Sequence, residues 1–271
     1  MRPTVALLTD FGSQDHYAGA VKGAILSACR DATLVDVVHD LPAHDVLDAA
    51  FSLFAAYRAF PPASVFLAVV DPGVGSKRRA LALEAAGYRF VGPDNGIFSL
   101  VLAQHADARV HQLTNAGLFR HQVSPTFHGR DVFGPVAGHL AAGMPIGEVG
   151  PAVDDPVLLA TEPLRQCNDD EWEAQVVHID RFGNLTTSMS GEELQQVLAH
   201  VGGDPTQVVV QVEGMVLPFV HTYFDLPEGE GCALLGSSGR LEVAVSRGNA
   251  AHTLGATKGA PVRVRLARMG G

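Results

Sequence analysis

The sequence is short of sulfur, of clustered positive charge and of long apolar runs, and each shortage closes off a class of function. Its three cysteines, Cys29, Cys167 and Cys232, are odd in number and far apart, and no Cys-x-x-Cys occurs. Zinc and thiol-redox chemistry therefore start without a motif, and free thiols in a reducing compartment are expected. Lys and Arg number 19 against 29 Asp and Glu, a net charge of −10. With no basic run to meet a phosphate backbone, nucleic acid is not an expected partner. A negative field mildly favours a cationic small molecule. No apolar stretch approaches membrane-spanning length, so no membrane partner is expected either. The first ten residues, ending at Asp10, are too short and too soon acidic for a signal peptide. The expectation is a soluble, cytoplasmic protein.

What the chain has is core material: 271 residues, 47% hydrophobic and 18% charged, enough for one large domain or two modest ones. Thr4 to Thr9 reads as a short strand ending at Asp10. Asp15 is placed to cap a helix burying Tyr17, Val21, Ala24, Ile25 and Ala28. Strands over 33–39 and 64–70 flank a helix opened by Asp45 and stopped by Phe60-Pro61-Pro62. This alternation predicts a largely parallel sheet covered by helices. Ala80–Ala85 and Tyr88–Val91 pair as a hairpin across Ala86-Gly87. Gly92-Pro93-Asp94-Asn95-Gly96 is a dense turn, followed by a helix over 97–105 and a strand over 109–113. A further helix runs to about Ala142 and ends at Gly143.

Composition shifts near residue 160. Residues 161–171 are polar and lack periodicity, so they are expected to be a linker between an α/β domain over 1–160 and a smaller domain over 172–271. In the second domain strands dominate: 172–180, 185–189, 207–212, 216–223, 232–235, 241–246 and 261–266. One helix follows the capping box at Ser190 and Glu193. The pattern predicts a mainly antiparallel sheet or small barrel.

The chain is organised around Asp71-Pro72-Gly73-Val74-Gly75-Ser76-Lys77-Arg78-Arg79, entered directly from the apolar run Val65–Val70. Asp71 thus sits at the carboxyl end of a buried strand, where open α/β sheets bind ligands. Glycine and proline shape the turn, and Arg78 follows closely enough to fold back onto Asp71. Asp10, Asp15, Asp71, Asp94, His128 and Asp131 fall mostly at strand ends or helix starts. Two readings compete for them: a divalent-metal cluster, or a metal-free pocket for a nucleoside-like substrate. No dense ligand motif such as His-Glu-x-x-His favours the metal.

The stretch from Asp71 to Arg78 resembles the signature of the S-adenosyl-L-methionine hydroxide adenosyltransferases, relatives of the fluorinases and chlorinases. So, in order, do Leu8-Thr9-Asp10-Phe11-Gly12, Gly92-Pro93-Asp94-Asn95-Gly96, Phe127-His128-Gly129-Arg130-Asp131 and Arg181-Phe182-Gly183-Asn184. The resemblance spans nearly the whole chain. It implies hydrolysis of S-adenosylmethionine (SAM) to adenosine and methionine, with SAM as substrate and no cofactor or metal. The catalytic trio it implies is Asp71, Arg78 and His128, around one water. It places Asp10 at the ribose hydroxyls, Asp15 near the methionine end, and Asp180 at the methionine amino group. Phe182 and Asn184 fall at adenine-binding positions, Ser237 and Ser238 at the methionine carboxylate, and Val245 to Arg247 beside adenine. Each of these also reads as an ordinary cap or turn residue. The resemblance further implies a homotrimer, with the pocket between one subunit's first domain and its neighbour's second.

Three rivals are weighed. Halogenases of the superfamily carry Tyr in place of Asp71, Thr in place of Val74, Ser in place of Gly129, and an aromatic in place of His44. A non-catalytic SAM or adenosine sensor need not keep all of the trio. A metal-dependent nucleoside or phosphoester hydrolase needs a ligand cluster.

Overall fold

A computed structural model describes residues 2–160 and 164–267 of the chain. The chain divides into two compact units, 1–159 and 160–271.

In the first unit, β1 (Thr4–Thr9), β2 (Thr33–Val38), β3 (Val65–Val69), β4 (Ala80–Ala85), β5 (Tyr88–Pro93) and β6 (Arg109–Gln112) form a six-stranded sheet in the order β2-β1-β3-β5-β4-β6. β1 pairs in parallel with β2 and β3, and β3 with β5, while β4 runs antiparallel between β5 and β6. Side chains alternate across a strand, and here both faces are covered. Val5, Leu7, Val65 and Leu67 pack with Val21 and Ile25 of α1 (Tyr17–Ala28). Ala6, Leu8, Phe66 and Ala68 pack with Leu53 and Phe54 of α2 (Val46–Ala56). A short α3 (Ser99–Gln104) joins the second face through Val101, and α4 (Gly134–Ala141) joins the first through Val136 and Leu140.

Strand order decides where a ligand can sit. The chain leaves β1 to one side for β2 and returns on the other side as β3, so the sheet switches direction between β1 and β3. Thr9 and Val69 are register partners. The loops carrying Asp10 and Asp71 therefore leave the sheet side by side at its carboxyl edge, where such a switch opens a crevice.

The second unit is a sheet in the order β11-β10-β14-β8-β9-β13-β12, with β7 added to β8. Its strands are β7 (Arg165–Asn168), β8 (Glu171–Ile179), β9 (Leu185–Ser190), β10 (Val208–Val212), β11 (Met215–Pro218), β12 (Gly231–Leu235), β13 (Arg240–Val245) and β14 (Pro261–Leu266). Neighbouring strands pair antiparallel, whereas the isolated bridge between Phe219 and Ala233 is parallel. That bridge nearly closes the sheet into a barrel around Val176, Met189, Val210, Val243 and Val264. The capping box forms as read: Ser190 and Glu193 open α5 (Gly191–Ala199). A second helix, α6 (Ala250–Leu254), is capped by Asn249.

The structure differs from the sequence expectation at three places. Asp15 caps nothing: it is exposed, and α1 starts behind His16 with no side-chain cap. The stretch expected as a linker over 161–171 contains a strand, because the exposed Arg165–Asn168 pairs with β8 through its backbone; residues 161–163 lie outside the described residues. The strand expected over 216–223 ends at Pro218, which has no N–H to continue a ladder.

Candidate active site

The loop after β3 folds back as its glycines allow. Gly75 has φ +76°, and a Cβ there would lie 2.4 Å from the carbonyl oxygen of Pro125. Only glycine fits both the left-handed backbone and that approach. The close contact packs the Asp71–Arg78 loop against the segment leading into His128.

Arg78 joins the trio. Its Nε donates to Asp71 Oδ1 at 2.9 Å and its Nη2 donates to Asp71 Oδ2. Nη2 also lies 2.9 Å from His128 Nδ1, across 50 residues of sequence. The Asp71 and Arg78 side chains are only 6% and 11% exposed, so the two-point pair is largely shielded from water. Removing one member of such a pair typically costs about 3–5 kcal/mol. Phe133 lies beneath the guanidinium, its ring centroid 5.1 Å from the Arg78 central carbon.

A guanidinium donates and cannot accept, so His128 Nδ1 must be the acceptor. The neutral ring then carries its proton on Nε2. Burial lowers the His128 pKa, the neighbouring Arg78 charge lowers it further, and Asp71 and Asp131 oppose the shift. His128 precedes a single π-turn, Gly129–Phe133, in which Gly134 N–H bonds the Gly129 carbonyl. This widened turn is a local irregularity of a kind frequent at functional sites.

The trio edges a cavity of about 550 Å³, within the range of small-molecule sites. Asp71 and His128 line it directly, as do Asp10, His44, Val74 and Gly129. Asp10 Oδ2 accepts the backbone N–H of His44 at 3.0 Å, which fixes His44 at φ +67° on the rim. Phe11, Tyr17 and Phe127 form an aromatic wall, with Tyr17 and Phe127 edge to face at 5.2 Å. Phe11 and Phe127 belong to the Leu8–Gly12 and Phe127–Asp131 motifs, and no spacing or pattern links two aromatics so far apart in the chain.

The remaining carboxylates do not converge. Asp94 is held by Arg79 and the Val157 N–H. Asp131, fully buried, is gripped by Arg130 at 2.7 and 2.8 Å and by the Ser124 N–H, which hold it below the usual carboxylate range. Asp15 lies outside the cavity wall. Among the described residues no three His, Cys, Asp or Glu side chains are grouped to hold a metal ion.

In the second unit, Asp180, Phe182 and Asn184 share one turn. Asp180 accepts the backbone N–H groups of Phe182 and Asn184 at 2.9 and 2.8 Å and the Asn184 side-chain amide at 3.1 Å. Phe182 stands 73% exposed on this braced turn. The Ser238 hydroxyl, in the turn with exposed Ser237, is buried without a partner. Val245 closes β13, and Arg247, at φ +52°, bonds Glu228. Near Asp180 lies Glu242, which sequence reading did not single out; burial raises its pKa while it accepts the Tyr223 hydroxyl.

Residues 5–150 match the SAM hydroxide adenosyltransferase N-terminal domain, and residues 174–263 match the C-terminal domain of the same family. A curated "(R)-S-adenosyl-L-methionine hydrolase" from Thermus thermophilus is 42% identical, covering 97% of this chain and all of that protein. A "Fluorinase" from Nocardia brasiliensis is 27% identical, over 98% of this chain and 97% of its own length. A solved structure of an uncharacterized conserved protein from Thermotoga maritima superposes with TM-score 0.89 at 32% identity, covering 96% of this chain and 99% of that one. Position 71 carries Asp, as the resemblance to the hydrolases requires, and the matched domains embrace both units in order. The chain belongs to the SAM hydroxide adenosyltransferase family.

Proposed function

We propose that this protein hydrolyses SAM to adenosine and L-methionine, by in-line attack of water on the ribose C5′ carbon. The observation that carries the reading is Arg78 bridging Asp71 and His128, both of which line the cavity. A bond forms from the water oxygen to C5′ as the C5′–S bond breaks. Its electron pair goes to sulfur, turning a sulfonium into a neutral thioether. The leaving group needs no proton, so no acid is required on that side.

The catalytic task falls on the water, whose pKa of about 15.7 in bulk makes it a poor nucleophile. Positioning it in line supplies the entropic part of the acceleration. His128, with its proton on Nε2, donates a hydrogen bond to the water oxygen. Arg78 adds positive charge beside the developing hydroxide. Asp71 is left as the group that accepts the water's proton, which passes on to solvent after the bond to carbon has formed. Asp10, the carboxylate across the switch point, holds the ribose hydroxyls.

Against the halogenase reading stands the charge at position 71. Two like charges 4 Å apart repel by about 4 kcal/mol at an effective dielectric of 20. Val74 and Gly129, both on the cavity wall, offer a halide no hydroxyl.

The second unit, in this reading, supplies the rest of the substrate contacts to a neighbouring copy in a homotrimer. Phe182 stacks on adenine, Asn184 meets the purine edge beside Val245 and Arg247, Ser237 and Ser238 take the methionine carboxylate, and Asp180 takes its amino group. The exposure of Phe182 and the unpartnered Ser238 hydroxyl support this assignment. We place the protein in the cytoplasm and assign it no metal or cofactor.

The test is incubation with SAM in ¹⁸O-water containing halide, with and without chelator. Adenosine labelled at its 5′ oxygen, formed at the same rate with chelator, is expected. A 5′-halo product would move the assignment to the halogenases, loss with chelator to a metal enzyme, and no turnover to a SAM-binding protein.

A further inference from the structure

The end of β5 and the bend that follows it, Gly92-Pro93-Asp94-Asn95-Gly96, line no part of the cavity, yet they reach both ends of the loop that carries Asp71 and Arg78. Asn95 Nδ2 donates to the carbonyl of Val70, the residue before Asp71, at 2.8 Å. Asp94 Oδ2 accepts from Nε of Arg79, the residue after Arg78, at 2.6 Å. The Asp94 N–H donates to the Arg79 carbonyl at 3.0 Å. That same carbonyl lies 3.4 Å from Arg78 Nη1.

We propose that Asp94 and Asn95 are positioning residues, fixing the backbone on both sides of loop 71–78 so that Asp71, Arg78 and His128 meet. Two features argue for this task over general stability. The first is where the contacts fall. Both go to the residues that bracket the loop, and the loop's own glycines give it little stiffness. The second is the choice between arginines. Arg78 and Arg79 are consecutive and carry the same side chain. The Asp94 side chain, 2% exposed, takes Arg79 to the other side, where Asp155 holds it as well. Arg78 is thereby left as the cation of the trio. Gly92 lets the segment lie this close: a Cβ there would be 2.2 Å from the Ala68 carbonyl oxygen.

The proposal rests on the hydrolase reading for its kinetic readout alone. Asp94→Asn and Asn95→Asp are near-isosteric. The first removes a charge, and the second sets a charged acceptor where a donor faced the Val70 carbonyl. A titration shift therefore counts for the brace only where both variants, of opposite charge change, move His128 the same way. A misplacement of about 1 Å can cost around 100-fold in rate, so kcat for SAM is expected to fall at least about tenfold with KM little changed. His128 supplies a readout independent of turnover. Its imidazole faces Arg78 from the loop, Asp71 from the end of β3 and Asp131 from the π-turn. As the guanidinium withdraws, its NMR titration is expected to move up toward the ordinary imidazole value. Wild-type kcat and titration in both variants would overturn the proposal, as would a rise in KM alone. Should the wild type not hydrolyse SAM, the functional reading fails while the titration still decides the brace. Should Asp94→Asn not fold, kcat of Asn95→Asp decides it.

Discussion

Arg78 Nη2 and His128 Nδ1 stand 2.9 Å apart, a donor that cannot accept facing a nitrogen that must. The arrangement fixes a tautomer, and the tautomer can be observed. Long-range ¹H–¹⁵N spectra at neutral pH should show His128 protonated on Nε2 and bare on Nδ1. A protonated Nδ1 would remove His128 as a donor to the water. The acid limb of kcat follows from the same pair. Protonating Nδ1 breaks the contact with Arg78, so activity is present above the lowered pKa and lost as pH falls through it. The limb is therefore expected below 6.5, the ordinary imidazole value. Stability has the same sign. The unfolded chain takes up this proton first, so His128 begins to cost stability as pH drops below about 6.5, levelling off below its folded value.

Asp71→Asn keeps the shape of the side chain and removes its charge. Turnover should fall by about 10²–10⁴, the usual contribution of a positioned base, with KM little affected. Both Asp71→Asn and Asp71→Ala leave the Arg78 guanidinium, 11% exposed, without its counter-charge and should melt below the wild type, Ala lower still because it also removes the acceptor for Nε and Nη2. Steady-state kinetics and thermal melts of the two variants separate the effects. Melting temperatures equal to the wild type in both variants would argue that the pair carries little stability.

Gly75→Ala sets a methyl group 2.4 Å from the Pro125 carbonyl oxygen and forces a left-handed residue with a side chain. A cost of about 1–3 kcal/mol is expected from the backbone alone. The relief available is to push the loop away from the segment before His128. Activity should therefore fall further than the fraction of folded protein does, as read by kcat per folded molecule.

Glu242 gives a prediction in the second unit. Its pKa is raised above 4.5, mainly by burial, with the Tyr223 hydroxyl bond opposing and the Asp180 charge adding. The folded chain holds this proton to higher pH than the unfolded chain, so Glu242 subtracts stability as pH rises through about 4.5. Gln keeps an acceptor for Tyr223 and carries no charge. Glu242→Gln should raise the melting temperature at pH 7, and the gain should shrink below pH 4.5. A gain independent of pH would mean that packing, not ionisation, is responsible.

The parts of the fold that follow from local chemistry were readable in advance. Asp45 caps α2 and Ser190 caps α5 because a cap is settled within three residues. Asp71 and Arg78 were expected to meet because a Gly-rich turn joins them over seven residues. His128 was different. Fifty residues separate it from Arg78; its place at a helix start marks it as a candidate, and only the family resemblance joins it to Asp71 and Arg78. β7 was missed because all four of its residues are exposed and show no alternation, so only backbone pairing makes it a strand. Asp15 misled because an acid before an apolar periodic run is a good cap in general, whereas here the helix begins one residue later. The π-turn after His128 has no sequence signature at all.

The strand end and bend at residues 92–96 grip main chain at Val70 and a neighbour at Arg79, and leave the side chain of residue 71 untouched. Scaffold and reagent are thus separable in this fold. A lineage that exchanged the group at that one position would inherit the mount intact and need only re-tune what it delivers to carbon. Kinship between water-using and halide-using enzymes is what such an architecture makes easy.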